Sequence, residues 1–410
     1  MDATCKKEGW QRSLDVRVGH GTPRARLETA DASGVVSPPR GGQHGRQDWV
    51  VFAACMFVLG LALAGHRQAQ AGETTFTGYK VLAPIRHGNL SVFPVVAATS
   101  HETQGFLTLD EGLRSGEVVV TESGSIQPMI RRRGPGITPV YPPPGGAQVN
   151  QLVLVNNSKK PLLLLAGEIV TGGKQDRVIG KDRLVPAESD PIDLSVFCVE
   201  PGRWVGTSSK FTGTAIPMAA PSVRSKAMAE KDQNQVWSEV RKSQGAMIAR
   251  MPAASSETVE VQGTTSYARV MENKEVAKQV DEVAAPIENS YRGVMNELRD
   301  RNAVGVVVAV NGEIIWADVF ASTQLLQKYW PKLVRSYAAE AIVTRTKYKE
   351  IDEKAATAFL ENLAGKREVV ESEPGLYRHT EISGDGFKAF ELTSLLPKTG
   401  FDLHVAKMAE

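Results

Sequence analysis

The sequence predicts an α+β fold: an N-terminal β-sandwich-like region, then a helical segment, a β-hairpin with packed helices and a C-terminal β-meander. Three observations carry this. Residues 76–215 hold short apolar runs separated by turn signals at regular spacing. Near residue 219 the apolar spacing becomes helical. Asn311-Gly312 then sits between two runs rich in Val and Ile. That pair is the strongest short hairpin signal, because both positions tolerate positive φ.

FTGYKVLAPIRHGNLSVFPVVAA gives two strands around the turn HGN, and GEVVVTES gives another. GPGITPVYPPPGGAQVN is a Pro/Gly loop that cannot be helix. QLVLVNNSKKPLLLLAG reads as strand, turn and strand; its continuous apolar runs suit burial on both faces. RLVPAES and PIDLSVFCVEPGRW supply two more strands around Pro186-Ala187-Glu188.

The second part, residues 219–396, is expected to pack on residues 76–215 as one domain. Val223, Ala227, Val236, Val240 and Met247 share one helical side. PAASSETVEVQGTTS reads as a small polar connector. Residues 267–301 read as helix, interrupted or kinked near Pro286. After the hairpin, Ser322 is a helix N-cap, and a further helix spans roughly 350–364. REVVESEPGLYRHTEISGDGFKAFELTSLL closes the chain as a β-meander.

Bulk composition excludes several classes. The chain has 410 residues, a formal charge of +2, 42% hydrophobic and 23% charged residues. That is ordinary globular composition and gives no reason to expect a nucleic-acid partner. Arg131-Arg132-Arg133 is too short to change this. Residues 49–65, WVVFAACMFVLGLALAG, form an uncharged apolar run of 17 residues, followed by Ala69-Gln70-Ala71. The pattern predicts a signal peptide over 49–71, cleaved before Gly72, and an exported, periplasmic or extracellular protein. Contact with a membrane is expected only if this segment stays uncleaved as an N-terminal anchor.

Residues 1–48 are rich in Gly, Pro and Arg without apolar periodicity. They read as a disordered leader or as an extension from an upstream start codon, with Val35 or Val36 as the true start. N-terminal sequencing of the unprocessed product tests this; a peptide from residues 1–30 would exclude it. Cleavage would remove Cys5 and Cys55 and leave Cys198 alone, so no intrachain disulfide is expected.

No strong generic motif is present: no Walker A loop, no dinucleotide fingerprint, no GxSxG and no HExxH. His87, His101, His379 and His404 are scattered, so no metal site is expected, and no cofactor follows from the residues. A Cys198-His nucleophile is conceivable, but a small buried apolar residue is the plainer reading.

The stretch AGEIVTGGKQDRVIG, residues 166–180, is the better candidate. Glu168 follows a buried-type strand, where a carboxylate stays anchored yet can reach an opening. Gly172-Gly173 permits a sharp turn or close backbone approach. Lys174, Gln175 and Arg177 are types that clasp phosphate or carboxylate, and Asp176 could accept from a sugar hydroxyl. The alternative is a plain hairpin ion pair. VEPGRW adds Glu200, Arg203 and Trp204 after another strand, with a structural Glu200–Arg203 bridge as its alternative. Two strand ends, each with Glu and Arg, are expected to meet on one side of a sheet. Asp318 in ADVF is a third candidate, to cap the next helix or reach a pocket. Tyr329, Trp330 and Tyr337 at helical spacing read as core.

LLLLAGEIVTGGKQDRV, LVPAES and SVFCVEPGRW, with ADVFASTQLLQKYWPKLVRSYAAEA, together resemble the ARG-and-rhodanese-phosphatase-superfamily-associated protein domain family over roughly residues 78–345. The resemblance implies Glu168, Lys174, Gln175, Arg177, Glu200, Arg203 and Trp204 as the functional set. Asp176 stands where that family commonly has Asn. Association with ADP-ribosylglycohydrolase-type and phosphatase-type domains implies a link to NAD or ADP-ribose metabolism. The expected ligand is nucleotide-like or otherwise anionic; the alternative is a non-enzymatic envelope scaffold or interaction module.

Overall fold

Asn311 and Gly312 both adopt positive φ, 56° and 73°, and join β15 (Asn302–Val310) to β16 (Glu313–Phe320). The sequence-predicted hairpin is therefore present, and it forms the middle of the largest sheet. The computed structural model describes residues 76, 78–123, 129–132, 137–140, 146–213, 217–298, 301–347 and 349–410. The residues read as leader and signal peptide, 1–71, and parts of the Pro/Gly loop lie outside them. The described residues form one compact unit. Among the described residues no helix is long and apolar enough to cross a membrane.

The fold is α+β, with N-terminal strands, central helices and C-terminal antiparallel strands. The placement of the first strands is what the sequence did not indicate. β1 (Tyr79–Val81), β2 (Ile85–His87) and β3 (Leu90–Ala97) leave the N-terminal β region and join the large sheet. β3 pairs antiparallel with β15 over almost its full length. On the other side of the hairpin lie β20 (Asp402–Ala409), β19 (Phe387–Ser394), β18 (Tyr377–Gly384) and β17 (Gly365–Glu373). β20, beyond the predicted meander, fills the gap between β16 and β19.

The smaller sheets contain β4 (Leu107–Thr108), β5 (Val118–Glu122), β6 (Met129–Arg132), β7 (Ile137–Val140), β8 (Gln151–Asn156), β9 (Leu162–Leu164), β10 (Ile169–Gly172), β11 (Arg177–Ile179), β12 (Arg183–Val185), β13 (Ile192–Cys198) and β14 (Phe211–Gly213). Their apolar runs alternate between two cores. Leu163, Val178 and Phe197 enter the main core; Leu162, Leu164, Ile179 and Val196 enter a second one. Burial on both faces is why LLLL is continuous rather than alternating. Each such side chain contributes about 1.5–3 kcal/mol of burial.

Helices cover the large sheet. The main core lies on one face, under Thr323–Val343, whose N-cap is Ser322 as expected. Glu353–Glu361 covers the other face. The segment read as a polar connector contains a helix, Ser256–Gln262, because Ser255 accepts from the Thr258 N–H and Val261 finds the core. Pro286 does not end its helix, which runs unbroken over Lys274–Glu297. The break falls at Asn273, whose side chain caps that helix after Tyr267–Glu272.

Candidate functional site

β10 and β11 form the hairpin of the 166–180 stretch, with Val170 opposite Arg177 and Ile169 opposite Val178. Its turn places Gly173, Lys174, Gln175 and Asp176 beside the end of β13. Gly173 has φ 51°, and a Cβ there would lie 2.3 Å from the Phe211 ring. Only glycine fits this approach.

The structure brings Lys174, Gln175, Asp176, Arg177, Glu200, Arg203 and Trp204 together. Arg203 donates to both oxygens of Glu200, at 2.6 and 2.5 Å, and lies 3.6 Å from Asp176. Glu200 also accepts from the Asp176 N–H at 3.0 Å, and its carbonyl accepts from Gln175 Nε2 at 3.0 Å. Asp176 accepts from the Ser266 hydroxyl at 2.6 Å and the Gly172 N–H at 3.1 Å. Burial nevertheless raises the Asp176 carboxyl. Arg177 is wholly buried and donates to the carbonyls of Val149 and Gln175, at 2.8 and 2.7 Å. Trp204 is 42% exposed, with Lys174 Nζ 4.9 Å from its ring centroid. The two arginines are thus spent on internal acceptors, and the surface offering is Lys174 over Trp204.

Glu168 does not join this group. β11 separates them: the Glu168 carbonyl accepts from Ile179 N–H at one end, and the Asp176 carbonyl accepts from Val199 N–H at the other. Glu168 is fully buried rather than reaching an opening. One oxygen accepts from the Leu165 N–H at 2.8 Å, and the other lies 3.9 Å from Lys332 Nζ without a hydrogen bond. Burial pushes its carboxyl up to about 8, against the opposing pull of Lys332.

Asp318 neither caps the following helix nor reaches a pocket. It anchors a wholly buried charge network. Arg224, from Pro221–Ser225, donates bidentately to Asp318 at 3.0 Å on each branch, and the Tyr337 hydroxyl donates to Asp318 Oδ2. His404 Nε2 is 3.1 Å from Asp318 Oδ1, and its Nδ1 is 2.5 Å from Asp182 Oδ2. Asp182 Oδ1 accepts from the Ala166 N–H at 2.7 Å. Burial opposes charge on His404, but Asp182 and Asp318 override it and raise the imidazole to about 9. Burial likewise opposes charge on Asp318, and Arg224 and His404 hold it well below the usual carboxylate range. Two cations and two anions balance. Gly167, at φ 95°, packs on this group: a Cβ there would sit 2.7 Å from the Arg224 side chain. The AGE segment is therefore the wall of the network.

Beside it opens a cavity of about 380 Å³, lined by residues including Gly180, Lys181, Phe197, Met228, Lys231, Glu371, His379, Glu381 and Phe390. Sheet register explains the adjacency. His404 of β20 pairs with Leu392 of β19, which pairs with His379 of β18, so both histidines share one sheet face. His379 is 2% exposed, and neither ring nitrogen has a hydrogen-bond partner. Burial lowers its imidazole, although Asp182 pulls the other way, so it is neutral at pH 7. A neutral imidazole offers one donor and one acceptor. Lys181 pairs with Glu371, and Lys231 pairs with Glu381 at 2.5 Å. Sequence reasoning missed His379, Lys181 and Lys231; the Gly180 that ends the 166–180 stretch was the nearest signal.

Cys198 is buried, its thiol raised by burial, and Sγ accepts from the Glu200 N–H at 3.3 Å. Those surroundings suit packing rather than nucleophilic attack. Among the described residues no group of His, Cys, Asp and Glu could hold a metal ion.

The chain belongs to the ARG and Rhodanese-Phosphatase-superfamily-associated Protein domain family, whose sequence model matches residues 78–406. Among curated proteins and solved structures it has no match.

Proposed function

We propose that this family member is an exported domain that binds a nucleotide-like ligand in the His379 cavity. The observation that carries the reading is His379: a buried, neutral imidazole with both nitrogens unpartnered on a cavity wall. An unmet buried polar group costs about 1–3 kcal/mol, and a ligand edge with one acceptor and one donor recovers it. Phe197, Met228 and Phe390 supply an apolar wall for a ring, and Lys181 and Lys231 supply cations for a phosphate. An anionic ligand must take these lysines from Glu371 and Glu381. The family's association with ARG and rhodanese-phosphatase proteins makes ADP-ribose and NAD the first ligands to try, with the 166–180 stretch building the site from behind. Export rests on the signal-peptide pattern of residues 49–71.

A thermal-shift screen with ADP-ribose, NAD, other nucleotides and sugar phosphates tests this, since a ligand of the native state raises the melting temperature. The expected hit is weakened in Lys231→Ala and kept in Arg203→Ala. The opposite pattern would move the ligand to the Lys174–Trp204 surface.

A second reading, a non-enzymatic interaction module, draws support from the internal pairing of Arg177, Glu200 and Arg203. It predicts no nucleotide response in the same screen.

A further inference from the structure

A second cavity, of about 320 Å³, lies between helices Lys274–Glu297 and Thr323–Val343 at the edge of the main core. It is remote in sequence from every residue of the proposed site. Tyr291 and Trp330 form one wall, their rings stacked with centroids 4.3 Å apart and planes at 29°. Thr323 stands beside them at the start of the second helix. Each contributes a buried polar atom without a hydrogen-bond partner: Tyr291 Oη, Trp330 Nε1 and Thr323 Oγ1. Tyr291 is 5% exposed and Trp330 7%.

Three unmet polar atoms on one small cavity are not what core packing produces, since buried polar groups are ordinarily paired. All three can donate a hydrogen bond, and the indole N–H can only donate. Burial raises the Tyr291 hydroxyl well above the ordinary tyrosine range and so holds it in its protonated, donating form. The cavity mouth carries Glu288 and Arg292, which pair at 3.3 Å, while Glu288 also lies 3.6 Å from Arg335. Those charges are matched to each other, so the interior calls for a neutral ligand rather than an ion.

We propose that this cavity is a binding site for a small, neutral, planar aromatic molecule bearing a carbonyl-type acceptor at its edge. The ring stacks against the Tyr291–Trp330 pair, and the acceptor receives the indole N–H with the Tyr291 or Thr323 hydroxyl.

The test uses two nearly isosteric probes, acetophenone and ethylbenzene, which differ in the carbonyl. Each is titrated into the full chain while the Trp330 Nε1–H resonance is followed by NMR, assigned with Trp330→Phe. Acetophenone is expected to shift that resonance saturably and to bind about tenfold tighter than ethylbenzene. Tyr291→Phe keeps the stacked ring and Thr323→Val keeps the shape. At least one is expected to cut that preference to about threefold or less, with ethylbenzene affinity unchanged. Equal affinity for the two probes, a preference untouched by both variants, or no saturable shift with either probe would overturn the proposal. The last result would leave the three polar atoms to ordered water.

Discussion

Asp182 and His404 stand 222 positions apart in the chain, and Oδ2 of one lies 2.5 Å from Nδ1 of the other inside the core. The contact ties the smaller β region to the last strand of the large sheet. Arg224 and Asp318 extend it to the Pro221–Ser225 helix and the central hairpin. Removing one carboxylate leaves a buried cationic charge uncompensated in a dry interior. Asp318→Asn or Asp182→Ala is therefore expected to cost about 3–5 kcal/mol of stability, measured by urea unfolding at pH 7. A loss below about 1 kcal/mol for both would mean the network is solvated in solution.

The same network gives stability a pH dependence with a definite sign. His404 has a folded pKa of about 9, above its ordinary 6.5, so its contribution is complete below about 6.5 and is lost as pH rises through about 9. Glu168, raised to about 8 from 4.5, acts in the same direction between those values, because the folded state holds the proton longer. Unfolding free energy is expected to fall by a few kcal/mol between pH 6 and 9. Glu168→Gln should flatten the part below pH 8, and His404→Gln the part above about 6.5. A wild-type profile that rises over this window contradicts both assignments.

Gly167 supports Arg224 through the absence of a side chain. Gly167→Ala meets a φ of 95° and a Cβ 2.7 Å from the arginine, so a loss of at least about 2 kcal/mol is expected. Gly206→Ala has nothing within 4 Å and is expected to change stability by less than about 0.5 kcal/mol. Thermal melts of the two variants make the comparison.

Local chemistry was legible in the sequence; the long-range polar pairing was not. Asn311-Gly312 declared its hairpin, and the unbroken run Leu162–Leu165 declared burial on both faces, because each is decided by neighbours in the chain. Glu200 and Arg203, three residues apart, form the bridge their spacing suggests. His404 gave no such sign. It alternates with Leu403 and Val405, a pattern that usually marks a solvated face, and elements distant in the chain, the β region with Asp182 and the helices carrying Arg224 and Tyr337, make that face interior. His379 sits on the same face for the same reason. The grouping of the 166–180 turn with VEPGRW was expected and is present, whereas Glu168 lies at the far end of the intervening strand.

Arg203 and Lys231 distinguish the Lys174–Trp204 surface from the His379 cavity. Arg203→Ala removes both bonds to Glu200 and is expected to lower the melting temperature with little effect on ligand affinity. Lys231→Ala should weaken an anionic ligand by about tenfold, and Glu381→Gln, which frees that lysine, should strengthen it by about threefold. Isothermal titration of the best nucleotide from the thermal screen reads all three. Weaker binding in Glu381→Gln would rule out a phosphate at Lys231.

The most direct measurement is the imidazole ¹⁵N spectrum of His379, recorded as ADP-ribose is added to the purified protein. The expected result is a neutral ring whose nitrogens both shift on saturation, with the response suppressed in Lys231→Ala. An unshifted His379 alongside a shifted Trp204 indole, or no response to any nucleotide, would contradict it.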